Sequence, residues 1–101
     1  MKVDAGKLAD LPEGKARVVQ VGNRAVAIFK IGDSVYAIDD NCSHRAGPLS
    51  EGLLEGLVVR CPWHGARFDL RTGEPLCPPA TRPLRRYSVT VNDEGTIFVE
   101  G

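Results

Sequence analysis

Two short motifs decide the fold of this chain: Cys42-Ser43-His44 and, after sixteen intervening residues, Cys61-Pro62-Trp63-His64. Each motif holds one thiol and one imidazole within two or three positions, so a single tight loop can direct both toward one metal centre. Thiolate sulfur and imidazole nitrogen are the ligands that zinc, copper and iron–sulfur clusters prefer. Together the two motifs predict one metal site with two sulfur and two nitrogen ligands.

The order of these ligands differs from that of a zinc finger. In a finger with two cysteines and two histidines, the cysteines form one pair and the histidines form the other. Here each pair mixes the two residue types, and loop-forming residues follow both pairs, at Gly47-Pro48 and at Gly65. We therefore expect loops to carry the ligands. A structural zinc ion stays an alternative, because a tetrahedral zinc site accepts the same four side chains.

The spacing Cys-x-His, sixteen residues, Cys-x-x-His resembles that of the Rieske iron–sulfur family. The stretch Cys61-Pro62-Trp63-His64-Gly65 and the downstream Pro78-Pro79-Ala80 also resemble that family, so the resemblance covers nearly the whole chain. In Rieske proteins two histidines replace two cysteines on one iron of a [2Fe–2S] cluster. The resemblance implies one cluster per chain, with Cys42 and Cys61 on the inner iron and His44 and His64 on the outer, solvent-facing iron.

Length and composition limit the remaining classes. The chain has 101 residues and balanced charge, with 13 basic and 13 acidic residues, which favours one domain without a net field for nucleic acid or an anionic membrane. It shows no long apolar span and no secretory leader, so we expect a soluble cytoplasmic protein. We also expect the protein to be a monomer when free. Assigning two of the three cysteines to metal leaves Cys77 without an internal disulfide partner.

Short β-rich segments separated by turn signals run along the chain. Two-residue signals such as Gly22-Asn23 and Gly32-Asp33 predict a meander of antiparallel strands. A single helical turn is expected at 7–11. The predicted strands are 16–21, 24–31, 34–38, 57–60, 66–69, 85–91 and 96–100.

The last predicted hairpin shows the strand periodicity. Tyr87, Val89 and Val91 alternate with polar residues, which predicts one buried face and one wet face. The turn-forming stretch Asn92-Asp93-Glu94-Gly95 closes the hairpin. The sequence therefore predicts an all-β fold, and by the resemblance a Rieske-type antiparallel β-sandwich or barrel.

Both ligand pairs and most of the prolines fall within residues 40–80, where strand signals are short. We predict that this range is a cluster-binding subdomain. It is inserted into a base subdomain formed by residues 1–39 and 81–101, which matches the arrangement in the Rieske family.

Four side chains near the ligands bear on the reduction potential. High-potential Rieske proteins carry a disulfide between the ligand loops, and serine and tyrosine hydroxyls that donate hydrogen bonds to sulfur. By the resemblance, Gly47 and Trp63 stand at or beside the disulfide positions, and Ala66 and Phe68 stand at the hydroxyl positions. Since none of the four supplies these groups, we predict a potential of about −150 mV, the low end of the Rieske range, and little dependence on pH near neutrality.

Nothing in the chain indicates a catalytic centre. Both histidines are assigned as ligands, and a mononuclear iron site of two histidines and a carboxylate would need more of them. We therefore predict an electron carrier that accepts electrons from a flavin-dependent NAD(P)H reductase and passes them to a terminal oxygenase. The alternatives are a Rieske-type small subunit of a larger redox enzyme such as nitrite reductase, and a non-redox zinc-binding or interaction module.

Overall fold

The computed structural model describes residues 2–11, 14, 16–32, 34–40, 49–60, 67–76 and 84–101. Within these ranges the chain forms nine strands and two short 3₁₀ turns, Leu8–Asp10 and Leu49–Glu51. The predicted all-β fold is confirmed. The strands are β1 (Lys2–Lys7), β2 (Ala16–Val21), β3 (Arg24–Ile31), β4 (Ser34–Asp39), β5 (Leu53–Glu55), β6 (Val58–Arg60), β7 (Arg67–Asp69), β8 (Arg86–Val91) and β9 (Thr96–Glu100).

Six strands form one antiparallel sheet in the order β1-β9-β8-β4-β3-β2. Its hairpins are paired over long stretches: β2 and β3 run in register from Ala16 opposite Phe29 to Val21 opposite Arg24. The junction between β4 and β8 is much shorter. A buried cluster fills the sheet's interior: Ala5, Leu11, Val21, Val26, Ile28, Ala37, Tyr87, Ile97 and Val99.

The two edge strands of this sheet, β1 and β2, are bridged by one side chain. Nη1 of Arg17 donates a hydrogen bond to the carbonyl oxygen of Ala5 at 3.1 Å, and Nη2 donates to that of Asp10 at 3.3 Å. An unpaired sheet edge presents free backbone groups. The hydrogen bonds of Arg17 connect the two edges, so the large sheet is nearly closed into a barrel.

The remaining strands form a small sheet in the order β5-β6-β7. Leu54 pairs with Val59, and Val59 pairs with Phe68, so these three side chains share one face. That face packs onto the large sheet, where Val59 and Phe68 are fully buried. The resulting second core consists of Ala27, Phe29, Ile38, Leu49, Val59, Phe68, Leu70 and Leu84.

Most predicted strands are confirmed, three of them with the predicted bounds, and 57–60 and 85–91 begin one residue later than predicted. Strands β1 and β5 were not predicted. The segment Lys2–Lys7 carries Asp4 and Gly6, which are poor strand formers, and it becomes a strand by pairing with the distant β9. The segment Leu53–Glu55 is too short to show alternation.

The last hairpin is confirmed, with one correction. Oδ1 of Asn92 accepts hydrogen bonds from the backbone N–H groups of Glu94 and Thr96 at 3.0 and 2.9 Å, which fixes the turn. Tyr87 is buried as predicted, but Val91 is 42% exposed. The predicted burial of Val91 is wrong because Val91 is the last residue of β8, at the turn end of the hairpin, where solvent reaches it although its partner Ile97 is buried.

No helix in the described part of the chain is long and apolar enough to cross a membrane. The predicted subdomain boundaries at 39/40 and 80/81 stay a prediction. The second of them lies outside the described residues.

Candidate metal centre

The four predicted ligands lie outside the described residues: Cys42 and His44 in the range 41–48, and Cys61 and His64 in the range 61–66. Gly47, Trp63, Ala66, Cys77 and the pair Pro78-Pro79 also lie outside them. The structure does describe the residues that flank these ranges, and those residues determine where each loop begins and ends.

The ends of the first ligand loop, 41–48, are joined by Asp40. Its carbonyl oxygen accepts a hydrogen bond from the N–H of Leu49, and its Oδ1 accepts one from the N–H of Ser50 at 2.8 Å. The N–H of Asp40 donates to the carbonyl oxygen of Ala25 at 3.0 Å. Asp40 is only 7% exposed. Cys42 and His44 therefore belong to a loop whose two ends are adjacent and fastened to β3.

The second ligand loop, 61–66, connects the two strands of a hairpin. Arg60, the last residue of β6, pairs with Arg67, the first residue of β7. The next pair inward, Val59 and Phe68, is fully buried in the second core. Val59 and Phe68 are the core-facing residues of this hairpin that lie nearest the loop. Their burial anchors the hairpin that carries Cys61 and His64.

Gly52 brings the stems of these two loops together. A Cβ at this position would lie 2.2 Å from the carbonyl oxygen of Arg60, and real Cβ atoms do not approach a backbone oxygen so closely. Only glycine therefore allows the turn that follows the first loop to lie against the strand that enters the second. The stem that follows the first ligand loop is therefore close to the stem that precedes the second, although sixteen residues separate the two ligand pairs in the sequence.

A third range, 77–83, starts and ends beside the same hairpin. The N–H of Leu76 donates to the carbonyl oxygen of Arg67 at 2.8 Å, and the N–H of Leu84 donates to that of Gly73 at 2.7 Å. Gly73 has φ +77°, and a Cβ there would lie 2.3 Å from the carbonyl oxygen of Leu84. The segment with Cys77 and Pro78-Pro79 therefore leaves from the loop end of the small sheet.

The turn after β7 is stabilised by a local ion pair. Oδ1 of Asp69 accepts the N–H of Arg71 at 2.8 Å, and Oδ2 lies 3.1 Å from Nη2 of the same residue. The side-chain hydrogen bond from Arg71, followed by its backbone hydrogen bond, lowers the pKa of Asp69. The turn leads to Gly73 and so helps to set the position of the third range.

The strand that enters the first ligand loop is held by a polar contact at Asp39. The hydroxyl of Tyr87 donates to Oδ1 of Asp39 at 2.6 Å, and Nη1 of Arg24 lies 3.2 Å from Oδ2. Burial and then the hydrogen bond to Asp39 raise the pKa of Tyr87. Neighbouring strands on both sides thus fix the residue that precedes Asp40.

The chemistry of the donor set fits a [2Fe–2S] cluster, because the two loops contain two thiols and two imidazoles and their stems are adjacent. Among the described residues no other group of three or more histidine, cysteine, aspartate or glutamate side chains could hold a metal ion. Asp40, Gly52 and Gly73 were not predicted from the sequence. Asp40 could have been suspected because it directly precedes a ligand loop. The two glycines could not, since they are required by contacts with residues distant in the sequence.

The chain is similar over nearly its whole length to known Rieske ferredoxins. The Rieske [2Fe-2S] domain family matches residues 1–88. The 3-phenylpropionate/cinnamic acid dioxygenase ferredoxin subunit of Escherichia coli K12 is 44% identical over 100 residues, which cover 98% of this chain and 92% of that protein. The ferredoxin of carbazole 1,9a-dioxygenase from Nocardioides aromaticivorans IC177 superimposes with a TM-score of 0.94 at 36% identity, covering 99% of this chain and 97% of that one.

Two further structures bear on the choice between a free carrier and a subunit. A ferredoxin in a complex of reduced oxygenase and oxidized ferredoxin of carbazole 1,9a-dioxygenase has a TM-score of 0.93 at 38% identity, covering 99% and 93% of the two chains. A putative small subunit of an NADPH nitrite reductase has a TM-score of 0.84 at 29% identity, covering 100% and 99%. This chain belongs to the Rieske [2Fe–2S] family and is an electron carrier, not a catalyst, with one [2Fe–2S] cluster as its cofactor.

Proposed function

We propose that Cys42 and Cys61 bind the inner iron of the cluster and that His44 and His64 bind the outer iron. The close approach of Gly52 to the carbonyl oxygen of Arg60 supports one shared site for the four ligands, because it joins the stems of the two ligand loops, and membership of the Rieske family supports the division between the two irons. The hydrogen bonds of Asp40 that close the first loop add to it. When bound, the cluster supplies reversible one-electron chemistry.

We further propose that the chain takes electrons from a flavin-dependent NAD(P)H reductase and delivers them to the terminal oxygenase of a ring-hydroxylating system. It does so as a free monomer in the cytoplasm. The names of the related ferredoxins, and the carbazole 1,9a-dioxygenase complex of oxygenase and ferredoxin, support this assignment. The cluster-binding subdomain of the proposal is 40–80, and the base subdomain is 1–39 with 81–101.

The chain's own residues serve this function by fixing the ligand loops. Asp40 and Gly52 hold the stems of both loops, and Val59 and Phe68 bury the hairpin beneath the second one. Protein interiors are close-packed, so we expect these residues to keep their conformation when the oxidation state of the cluster changes. Little rearrangement of the protein is then needed when one electron is gained or lost.

The proposed potential is low, about −150 mV. Phe68 is fully buried in the second core and has no hydroxyl to donate to a sulfur. Ala66, which lies outside the described residues, also has no donor in its side chain. Donors to sulfur stabilise the extra negative charge of a reduced cluster, so their absence favours the oxidised state. We expect Ala66→Ser to raise the midpoint potential.

The ligand assignment is tested by His64→Cys, compared with the wild-type protein by metal analysis, spectroscopy and redox titration. The variant keeps part of the cluster and has a lower midpoint potential, because a thiolate adds negative charge that a neutral imidazole lacks. A variant with the wild-type potential would show that His64 is not a ligand. Colourless wild-type protein with one zinc ion per chain would overturn the electron-transfer proposal and favour a zinc-binding module.

The second candidate function is a small subunit that stays bound to a larger redox enzyme, which the likeness to a putative nitrite reductase subunit favours. Size-exclusion chromatography of the native protein from its own cells separates the two. A free carrier elutes at the size of one chain, near 10.9 kDa. Elution only with a large redox enzyme would replace the first candidate with the second.

A further inference from the structure

Two exposed leucines stand beside the ligand loops. Leu53 is 65% exposed and Leu76 is 51% exposed, more than any other large apolar side chain of the described residues. Leu53 begins β5 directly after Gly52, and Leu76 directly precedes the range 77–83. Single exposed apolar residues are normal on a protein surface. The two leucines indicate a binding surface only if they lie on the same face of the molecule.

Strand register places the two leucines in one row. Leu53 pairs with Arg60, and Arg60 pairs with Arg67. The bridge between Phe68 and Pro75 puts Leu76 opposite Arg67. Residues paired directly across antiparallel strands project from the same face. The row Leu53, Arg60, Arg67 and Leu76, called the rim below, therefore lies on the outer face of the small sheet, opposite the face that packs into the second core.

The charges of the rim are available to a partner. Nε of Arg67 lies 3.3 Å from Oε1 of Glu55, and both side chains are nearly half exposed, so this ion pair is weak and open to exchange. The side chain of Arg60 is exposed and makes no ion pair or hydrogen bond with another described residue. Two other acids share this face: Asp69, which is held by Arg71, and the exposed Glu74, which the register places opposite Asp69. The rim itself contains two guanidinium groups, and among the described residues only that of Arg67 is paired with a carboxylate, that of Glu55.

We propose that the rim is the docking surface for the terminal oxygenase, and that it fits an oxygenase surface with carboxylates between apolar side chains. Arginine binds carboxylates through its planar guanidinium, and it is enriched among the residues that dominate interface energies. The exposed leucines lie at the two ends of the row, so a partner that covers the arginines also covers apolar surface. This assignment rests on the proposed function and adds which face of the chain the oxygenase contacts.

The position of the rim ties docking to electron transfer. Arg60 directly precedes the loop with Cys61 and His64, Arg67 directly follows it, and Leu76 directly precedes the range with Pro78-Pro79. A partner seated on the rim therefore contacts residues continuous with the predicted ligand loop.

The test uses stopped-flow mixing of the reduced holoprotein with the oxidised terminal oxygenase purified from the cells that make this chain. The rim variants are Arg60→Glu and the double variant Leu53→Ser with Leu76→Ser. The controls are Val18→Ser and Val91→Ser, exposed apolar residues of the large sheet, and Lys2→Glu on β1. Cluster absorbance and midpoint potential are measured for every variant, so that a shift of potential caused by the charge reversal beside Cys61 is separated from a change in docking.

We expect each rim variant to raise the half-saturating concentration of the oxygenase about tenfold, with the limiting rate unchanged, and the controls to stay within about twofold of the wild type. Rim variants that behave as the controls do would overturn the docking surface and leave the proposed function standing. Slower reduction by the flavoprotein reductase alone would also overturn the assignment to the oxygenase. Wild-type protein that passes no electron to the oxygenase would overturn the proposed function itself.

Discussion

The two sheets of this protein are stabilised in different ways. The large sheet has strands of five to eight residues, and its β2–β3 and β3–β4 pairs run in long continuous registers. The small sheet has three strands of three residues each, which is too little ladder for independent stability. It depends on its buried face and on the close backbone approaches at Gly52 and Gly73. The small sheet, which carries the second ligand loop, is thus the sheet with fewer strand hydrogen bonds, so changes there should affect the cluster before they affect the rest of the fold.

The largest expected effect comes from adding one methyl group at the junction of the loop stems. Gly52→Ala forces the backbone away from the carbonyl oxygen of Arg60 and lowers the free energy of unfolding by about 3 kcal/mol. We expect the purified variant to hold little iron. The control is Gly95→Ala in the turn of the last hairpin, where φ is +77° but no atom lies within 4 Å of an added Cβ, at a cost of about 1 kcal/mol. Equal iron content in the two variants would contradict the difference between the sheets.

The second comparison makes the same valine-to-alanine substitution in each core. Val59 in the small sheet and Val99 in the large sheet are both fully buried, so Val→Ala at either costs about 2 kcal/mol of unfolding free energy. Only Val59→Ala is expected to accelerate the release of iron to a chelator, since Val59 lies two residues before Cys61. The thermal midpoint and the rate of bleaching measure the two effects. Faster bleaching of Val99→Ala would show that both cores stabilise the site equally.

The third expected effect concerns the closure of the first ligand loop. Asp40→Ala removes the acceptor of the Ser50 N–H and costs about 1.5 kcal/mol, because a partly buried donor loses its partner. Asp40→Asn keeps a carbonyl oxygen in the same place and should restore most of the loss. The rate of cluster release and the electron paramagnetic resonance (EPR) spectrum of the reduced protein are the measurements. Asn and Ala variants with the same release rate would show that this hydrogen bond does not hold the loop.

The smallest effects are those of pH, and they have opposite sign in the two sheets. The pKa of Asp69 is lowered by Arg71, so its stabilisation of the turn after β7 is present above pH 3.8 and is lost as the pH falls through the folded-state pKa. The pKa of Tyr87 is raised by burial and by Asp39, so its contribution is present below pH 10 and is lost as the pH rises through the folded-state pKa.

These two contributions are separated by thermal melts of the holoprotein against pH. Asp69→Asn should flatten the acid limb of the stability profile, and Tyr87→Phe should flatten the alkaline limb. An alkaline limb unchanged in Tyr87→Phe would remove Tyr87 as its source. The same holds for Asp69 if the acid limb is unchanged in Asp69→Asn.

The sequence predicted five of the six strands of the large sheet, all except β1, because local signals determine those five. The turn at Gly22-Asn23 and the β-rich runs beside it set β2 and β3 with their observed bounds. The frame of the site was less predictable. Gly52 and Gly56 look alike in sequence, yet Gly52 is required by a distant carbonyl group and Gly56 by its own φ of +65°. The sequence gives no sign that Leu53 and Leu76 are exposed, and the structure shows that both face solvent.

The presence of one [2Fe–2S] cluster with mixed cysteine and histidine ligands is best tested by EPR of the dithionite-reduced protein, with iron and sulfide analysis of the same sample. We expect two irons and two acid-labile sulfides per chain. We also expect an average g value below that of clusters held by four thiolates, with hyperfine coupling to histidine nitrogen. A spectrum without nitrogen coupling and with the g values of an all-thiolate cluster, or a colourless protein that contains one zinc ion, would contradict the presence of this cluster.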